Sequence, residues 1–324
     1  MNDQPNVVSI FEIASTENFD EQRYVLANKD VRTAIETGAF ADGRQHFKKH
    51  GRKERRKQYC DDYLGSLQAM REKKQQRIAT ILREDIDITM TPDGMYDYRG
   101  GDRKDTFGFS ETENISSNAY DELPLGVISQ FPHGLILDCG AGYRPEYYEN
   151  VVNYEIVPYQ TTDVLGFAED LPFADASFDA VFSFAVLEHV KYPFIAADEL
   201  CRVLKPGGIL AAGAAFLQPI HGYPHHYFNM TNLGLRVLFE ESVDITRQFV
   251  NPGTGPMVAL SWFLREWMKN LPAESQKKFR KLKVADILAQ PPEAFSGETF
   301  VADLSEETNF QLACATRMIG RKRI

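Results

Sequence analysis

Two stretches of this chain hold residue types that could do chemistry. The first is Asp138-Cys139-Gly140-Ala141-Gly142, an acid and a Gly-x-Gly turn that end the apolar run Leu135-Ile136-Leu137. Glycine lets backbone approach a nucleotide because it has no Cβ and reaches positive φ. The turn therefore predicts a buried parallel strand ending on a nucleotide cofactor. Glu155 closes the next apolar run, where a carboxylate can accept two hydrogen bonds from vicinal ribose hydroxyls; an exposed acid at a strand end is the plain alternative. The second stretch, Gln218 to Phe228, carries His221, His225 and His226. Histidine is a usual base for a hydroxyl proton and a common metal ligand. No Asp or Glu lies inside this stretch to complete a ligand set, so no metal is expected, and hydrogen bonding within an ordered loop competes with the role of base.

These residues need a scaffold that brings strand ends together. Short apolar runs alternate with helical patterns from Gly134 onward, which predicts an α/β doubly wound, Rossmann-like sheet. Strands are expected at 135–139, 151–156, 178–184 and 209–214, and helices at 193–204 and 232–241. Leu204-Lys205-Pro206-Gly207-Gly208 ends a helix and turns into a strand. The histidine stretch follows the 209–214 strand and so leaves the edge where ligands bind. Two final strands, 243–249 and 312–319, are expected to flank a helical insertion at 250–309. Within it, residues 258–268 form an apolar helix suited to the core, a homodimer contact or the wall of an acceptor pocket.

Composition narrows the function classes. The chain has 324 residues, 43% of them hydrophobic and 25% charged, enough for one large domain and an appendage. A net charge of −10 argues against nucleic acid as a general partner. Cys60, Cys139, Cys201 and Cys314 are widely spaced and read as free thiols, those at 139 and 201 in the core. No apolar run approaches the length of a membrane span and the start has no signal-peptide pattern, so a cytoplasmic location is expected. Residues 1–100 differ in texture: short helical patterns, a basic run from His46 to Lys57, then an amphipathic helix with a charged outer face. The expected division is thus a small helical N-terminal region at 1–100 and a cofactor-binding domain at 101–324.

Several motifs then occur in a fixed order. Ala168-Glu169-Asp170-Leu171-Pro172-Phe173 precedes the strand that begins Phe178-Asp179-Ala180-Val181. Leu187-Glu188-His189-Val190 reads as a helix start, and Leu204–Gly208 as the turn after that helix. With the glycine loop and Glu155, residues 105–250 resemble the class I S-adenosylmethionine-dependent methyltransferases of the "type 11" group. The resemblance implies S-adenosyl-L-methionine as cofactor, held by Asp138, Gly140, Ala141, Gly142, Glu155, Phe167, Ala168, Glu169 and His189. In that reading Asp138 reaches the methionine ammonium or braces the turn, and Phe167 stacks on adenine or packs in the core. His189 faces the sulfonium or caps its helix. His221, Pro224, Tyr227 and Phe228 match a stretch that supplies candidate bases, with His226 where the family has an acid.

The chain departs from the family where Arg144 replaces the third glycine and Phe167 an acid. Pro145 stands where a nicotinamide-binding loop needs glycine, which disfavours a dehydrogenase. The expected function is methyl transfer to a small molecule or glycan precursor, at a hydroxyl; the alternative is a catalytically inactive scaffold of the same fold. The glycan context comes from a second resemblance. Tyr24, Asn28, Asp30, Val31, Gly38, Phe40, His46, Phe47, Gly51, Glu54 and Arg55 match a short helical module found beside bacterial polysaccharide-biosynthesis enzymes. The basic run reads as a solvated helix end or as a contact for an anionic partner.

Overall fold

The computed structural model describes residues 4–109, 116–222, 225–319 and 321. The chain opens with β1 (Val7–Ser9), β2 (Phe11–Ile13), α1 (Glu21–Ala27), α2 (Lys29–Glu36), α3 (Gly43–His46), a π-helical turn at Phe47–Gly51, and β3 (Lys57–Tyr59). Asp20 and Asp42 start α1 and α3 by accepting the N–H groups of Arg23 and Gln45. Tyr24, Val31 and Phe47 form a small core under these helices. The Tyr24 hydroxyl lies 3.0 Å from Nδ1 of His46, and Gly51 passes so close to it that a Cβ there would overlap. Arg56 bridges Asp30 and Glu54. In this chain, then, much of the module's residue pattern is a packing pattern. Lys48, Lys49, Arg52 and Lys53 of the basic run are exposed, whereas His46 and Phe47 are buried.

Next come α4 (Tyr63–Ala79), β4 (Thr89–Met90), β5 (Tyr96–Asp97) and α5 (Arg103–Phe107). The face of α4 differs from expectation, because two of its charged residues point inward: Arg71 and Lys74 are 5% and 1% exposed. Lys74 donates to Asp163 and lies 3.7 Å over the ring of Tyr147, whose hydroxyl also donates to that carboxylate. Burial pushes the Lys74 ammonium down, against the pull of Asp163. A buried charge is tolerated when it is paired and hydrogen-bonded in this way.

The sheet follows from α6 (Glu122–Gln130), β6 (Ile136–Cys139), β7 (Glu146–Tyr148), β8 (Val151–Glu155), β9 (Val164–Leu165), β10 (Phe178–Phe184), α7 (Pro193–Val203), β11 (Leu204–Gly213) and α8 (Asn232–Val237). Seven strands lie in the order β11-β10-β6-β8-β9-β5-β4, parallel except for the last pair. The α/β expectation holds. Alternate residues of a strand point to opposite faces, and two cores result. Leu137, Cys139 and Val181 pack with Ile78 of α4 and Leu200 of α7, while Ile136, Ala180 and Phe182 pack with Val127 and Ile128 of α6. The expected boundary at residue 100 falls inside this architecture. β5 pairs in parallel with β9, and β1 pairs antiparallel with β7.

The chain continues through α9 (Pro256–Lys269), α10 (Ala273–Phe279), α11 (Val284–Leu288), α12 (Thr299–Ala302) and α13 (Glu306–Leu312). The strands expected at 243–249 and 312–319 are absent. Phe249, Val250, Met318 and Ile319 are exposed, and no described strand pairs with the outer edge of β11. An alternating sequence becomes a strand only when a ladder partner satisfies its backbone. The apolar helix at 258–268 forms as α9, but none of its residues is fully buried. Among the described residues, no helix is long and apolar enough to cross a membrane.

Candidate active site

The strand order reverses direction between β6 and β10, and in open α/β sheets ligands bind at the carboxyl ends beside such a reversal. Here the loops after these two strands touch: a Cβ on Gly140 would overlap Cγ2 of Val186. Gly140 and Gly142 have φ of +75° and +64°. A Cβ on Gly142 would also lie 2.8 Å from the carbonyl oxygen of Ser116, so both positions require glycine. Ala185 opens the facing loop with φ of +55°, an uncommon conformation for a residue with a Cβ.

Glu155 stands half-buried at the end of β8. Its Oε2 accepts the N–H of Gly142 at 2.8 Å and its Oε1 that of Ile156 at 2.7 Å. Burial pushes this carboxyl up, against the backbone donors. The carboxylate keeps acceptor capacity for hydroxyl donors, so it fits a ribose diol.

Asp138 has charged and hydrogen-bonding partners within the chain. It is fully buried, with Nε of Arg144 at 2.9 Å from Oδ2, Nη2 at 3.2 Å from Oδ1, and the Tyr120 hydroxyl donating to Oδ2. The guanidinium also lies 4.2 Å over the Tyr120 ring. Arg144, two residues past Gly142, already answers the charge of Asp138. The acid braces the turn through a side-chain pair.

Phe167 is 4% exposed, with the rings of Phe107 and Phe109 at 5.4 and 5.9 Å. Its aromatic neighbours thus come from the chain itself. Ala168 and Glu169 follow in a buried turn, where Glu169 accepts the N–H of Tyr192 at 3.4 Å and burial pushes its carboxyl up. His189 does not open a helix. It sits in a turn, with its N–H on the carbonyl of Val186, and α7 begins later at Pro193. Proline fits that first helical position because its missing N–H would be unpaired there anyway.

The histidine candidates separate in space. The rings of His221 and His226 lie 4.5 Å apart, and His189 joins them at 5.1 and 5.3 Å. His225 is exposed, its ring lies beside Tyr227, and its carbonyl oxygen faces Nδ1 of His189 at 2.7 Å. Tyr227 and Phe228 donate their N–H groups to the carbonyl of Glu188, which ties this stretch to the β10 loop. Pro224 of the motif lies outside the described residues.

The acid missing from the histidine stretch is supplied by tertiary structure. Glu188 is fully buried beside His189 and His221. In the sequence Glu188 stands only as part of a helix-start motif; its one signal is an acid directly before a histidine just past a strand end. Burial pushes the Glu188 carboxyl up to about 6 and His189 down to about 4, and lowers His221 as well. Trp262 of α9 touches His221, with ring centroids 4.9 Å apart, and lines a groove of about 660 Å³ with Met257, Val258 and Arg265. A second groove, of about 400 Å³, is lined by Leu135, Ser177 and Asp179 at the amino ends of the strands, away from this chemistry.

The chain is 43% identical to an uncharacterized methyltransferase of Schizosaccharomyces pombe over 63 residues, 19% of this chain and 23% of that protein. It thus spans less than a quarter of that relative's length. Among solved structures, a SAM-dependent methyltransferase of Thermotoga maritima is 22% identical, over 34% of this chain and 64% of that one, with a TM-score of 0.26. Phospholethanolamine N-methyltransferase 2 of Haemonchus contortus is 16% identical, over 56% and 49%, with a TM-score of 0.31. Residues 137–212, from β6 into β11, match the family described as "Methyltransferase domain".

Proposed function

We propose that this protein is a cytoplasmic enzyme that transfers a methyl group from S-adenosylmethionine to a hydroxyl of a small molecule or glycan precursor. The observation that carries the reading is Glu155, a half-buried carboxylate closing over the β6 glycine turn inside the segment that matches the methyltransferase domain. When bound, S-adenosylmethionine supplies an electrophilic methyl group. Glu155 holds the ribose diol, the backbone of 140–142 passes under the sugar, and the Phe167 side of the crevice takes the base. The groove at Trp262 receives the acceptor beside His221. Holding two reactants in line is worth roughly 7–11 kcal/mol in favourable cases, so positioning supplies much of the rate.

A hydroxyl acceptor must also lose its proton. The groups at this edge are Glu188, His189 and His221, and burial keeps both imidazoles uncharged near neutral pH, the form that accepts a proton. The glycan context rests on the resemblance of residues 24–56 to a module found beside polysaccharide enzymes. One observation favours a second reading, a scaffold without turnover: Arg144 takes the charge of Asp138 and fills the third-glycine position.

Calorimetric titration with S-adenosylmethionine and S-adenosylhomocysteine tests both readings. Saturable binding followed by turnover on hydroxylated acceptors is the expected outcome. Binding of neither nucleoside overturns the methyltransferase reading, and binding without turnover across an acceptor panel favours the scaffold.

A further inference from the structure

The loops leaving β10 and β11 bring one carboxylate and two imidazoles together. Glu188, His189 and His221 each offer one ligand atom, all within 4.8 Å of one another. Glu188 is fully buried, and its Oε1 accepts the N–H of Ala215 at 3.3 Å. Its Oε2 is buried with no hydrogen-bond partner among the described residues. A buried carboxylate oxygen without a donor is costly, and a bound cation would supply the missing partner.

The imidazoles are held ready for the same role. Nδ1 of His189 faces the carbonyl oxygen of His225 at 2.7 Å, and Nδ1 of His221 faces that of Pro219 at 2.9 Å. A carbonyl oxygen only accepts, so each Nδ1 carries the proton and each Nε2 keeps a bare lone pair. Metal-binding histidines are commonly oriented through the other ring nitrogen in this manner. Gly222, with φ of +79°, lets the loop close over His189; a Cβ there would lie 2.9 Å from Nε2. His226 stands beside the group but is engaged: Nδ1 accepts the N–H of His221 at 3.2 Å and Nε2 meets Oδ1 of Asn229 at 3.0 Å.

We propose that Glu188, His189 and His221 bind a divalent first-row transition ion, Zn²⁺ fitting best, through Oε2 and the two Nε2 atoms, with a coordination position left open. Two imidazoles and a carboxylate suit Zn²⁺ rather than Mg²⁺ or Ca²⁺, which prefer all-oxygen sets. Ligand atoms around a tetrahedral zinc sit roughly 3.3 Å apart, so a group already within 4.8 Å has to close by at most about 1.5 Å on binding. The site does not depend on the methyl-transfer reading; only its use does. Under that reading, in the metal-loaded protein, the imidazoles hold the ion instead of taking the proton themselves, and the open position takes the acceptor hydroxyl, beside the groove at Trp262.

The test is a titration of Co²⁺ into the chelator-treated full chain, without S-adenosylmethionine, followed by displacement with Zn²⁺. The expected result is a saturable visible d–d spectrum that Zn²⁺ abolishes. Glu188→Gln, which keeps shape and loses charge, and His221→Ala each weaken Zn²⁺ binding about 100-fold or more, while His50→Ala binds as the unaltered chain does. Absence of a saturable Co²⁺ spectrum in the unaltered chain overturns the proposal whatever the variants do. So does unchanged Zn²⁺ affinity in Glu188→Gln and His221→Ala. A parallel titration with S-adenosylhomocysteine separates the two readings, since metal binding without nucleoside binding removes only the methyltransferase one.

Discussion

Arg144 carries more weight in this molecule than its position in a loop suggests. It neutralises a fully buried aspartate, stacks on Tyr120, and donates to the carbonyl of Asn118 at 3.0 Å. Removing one partner of a buried ion pair leaves the other uncompensated and typically costs about 3–5 kcal/mol. Arg144→Met is expected to lower the unfolding free energy from a urea melt by an amount of that order, with a matching fall in the midpoint, and adding Asp138→Asn to recover part of it. An unchanged midpoint in the single variant would mean that Asp138 finds another donor. Glu155 makes a different prediction, on binding instead of stability. Hydrogen bonds to a charged group contribute about 1.5–3 kcal/mol, so Glu155→Ala should weaken S-adenosylhomocysteine about 10- to 100-fold by calorimetry. Sequence made Glu155 legible because a strand end fixes where its side chain goes. It left Arg144 as a mere departure, because what a side chain reaches across a turn depends on coordinates.

At the scale of elements, the strongest prediction belongs to α4. Lys74 is the buried cation that answers Asp163, on the turn before β9. Lys74→Met fills similar volume but strands the carboxylate, and a loss of about 3–5 kcal/mol is expected in a thermal or urea melt. If stability were instead unchanged, α4 would be docked by Leu67, Met70 and Ile78 alone. The inner strands of the sheet were legible because continuous apolar runs mark strands buried on both faces: β10 spans the predicted residues, and β6, β8 and α7 differ only at their ends. The face of α4 was not, since Lys and Arg read as solvent-facing until a buried acid is known to stand opposite. The final strands failed for the converse reason: 243–249 alternates well enough, but nothing pairs with it. The histidine stretch was legible as a cluster, whereas Glu188 joined it only through contact between two loops.

For the whole molecule, acid sensitivity follows from carboxylates that tie the N-terminal third and the strand ends together. Asp170 feels burial first, which raises its pKa, but hydrogen bonds from Arg103 and Tyr98 and the charge of Arg83 hold it below the usual value. Burial also acts on Asp97 and Asp179, and Arg99 and Lys205 overcome it in the same way. A carboxyl whose folded pKa is depressed gives stability that is fully present above the unfolded value, about 3.9 for Asp, and lost as pH falls through the folded one. The share of the urea midpoint that these three aspartates supply is therefore expected to hold steady from neutral pH to about 5 and to fall away below about 4. Asp170→Asn should flatten part of that fall; an identical pH profile in the variant would place the sensitive group elsewhere.

The pairing of α4 with the middle of the sheet also has a consequence in time. Lys74 and Asp163 are 89 residues apart. At about 5–20 residues per second of synthesis, the lysine emerges roughly 4–18 s before its aspartate exists. Throughout that interval α4 has no buried acid to dock on, and β4 and β5 have no β9 to extend. The small core around Tyr24 draws only on residues 14–47, all of them made before Lys74. The N-terminal strands of the sheet are made first and are among the last to find their places.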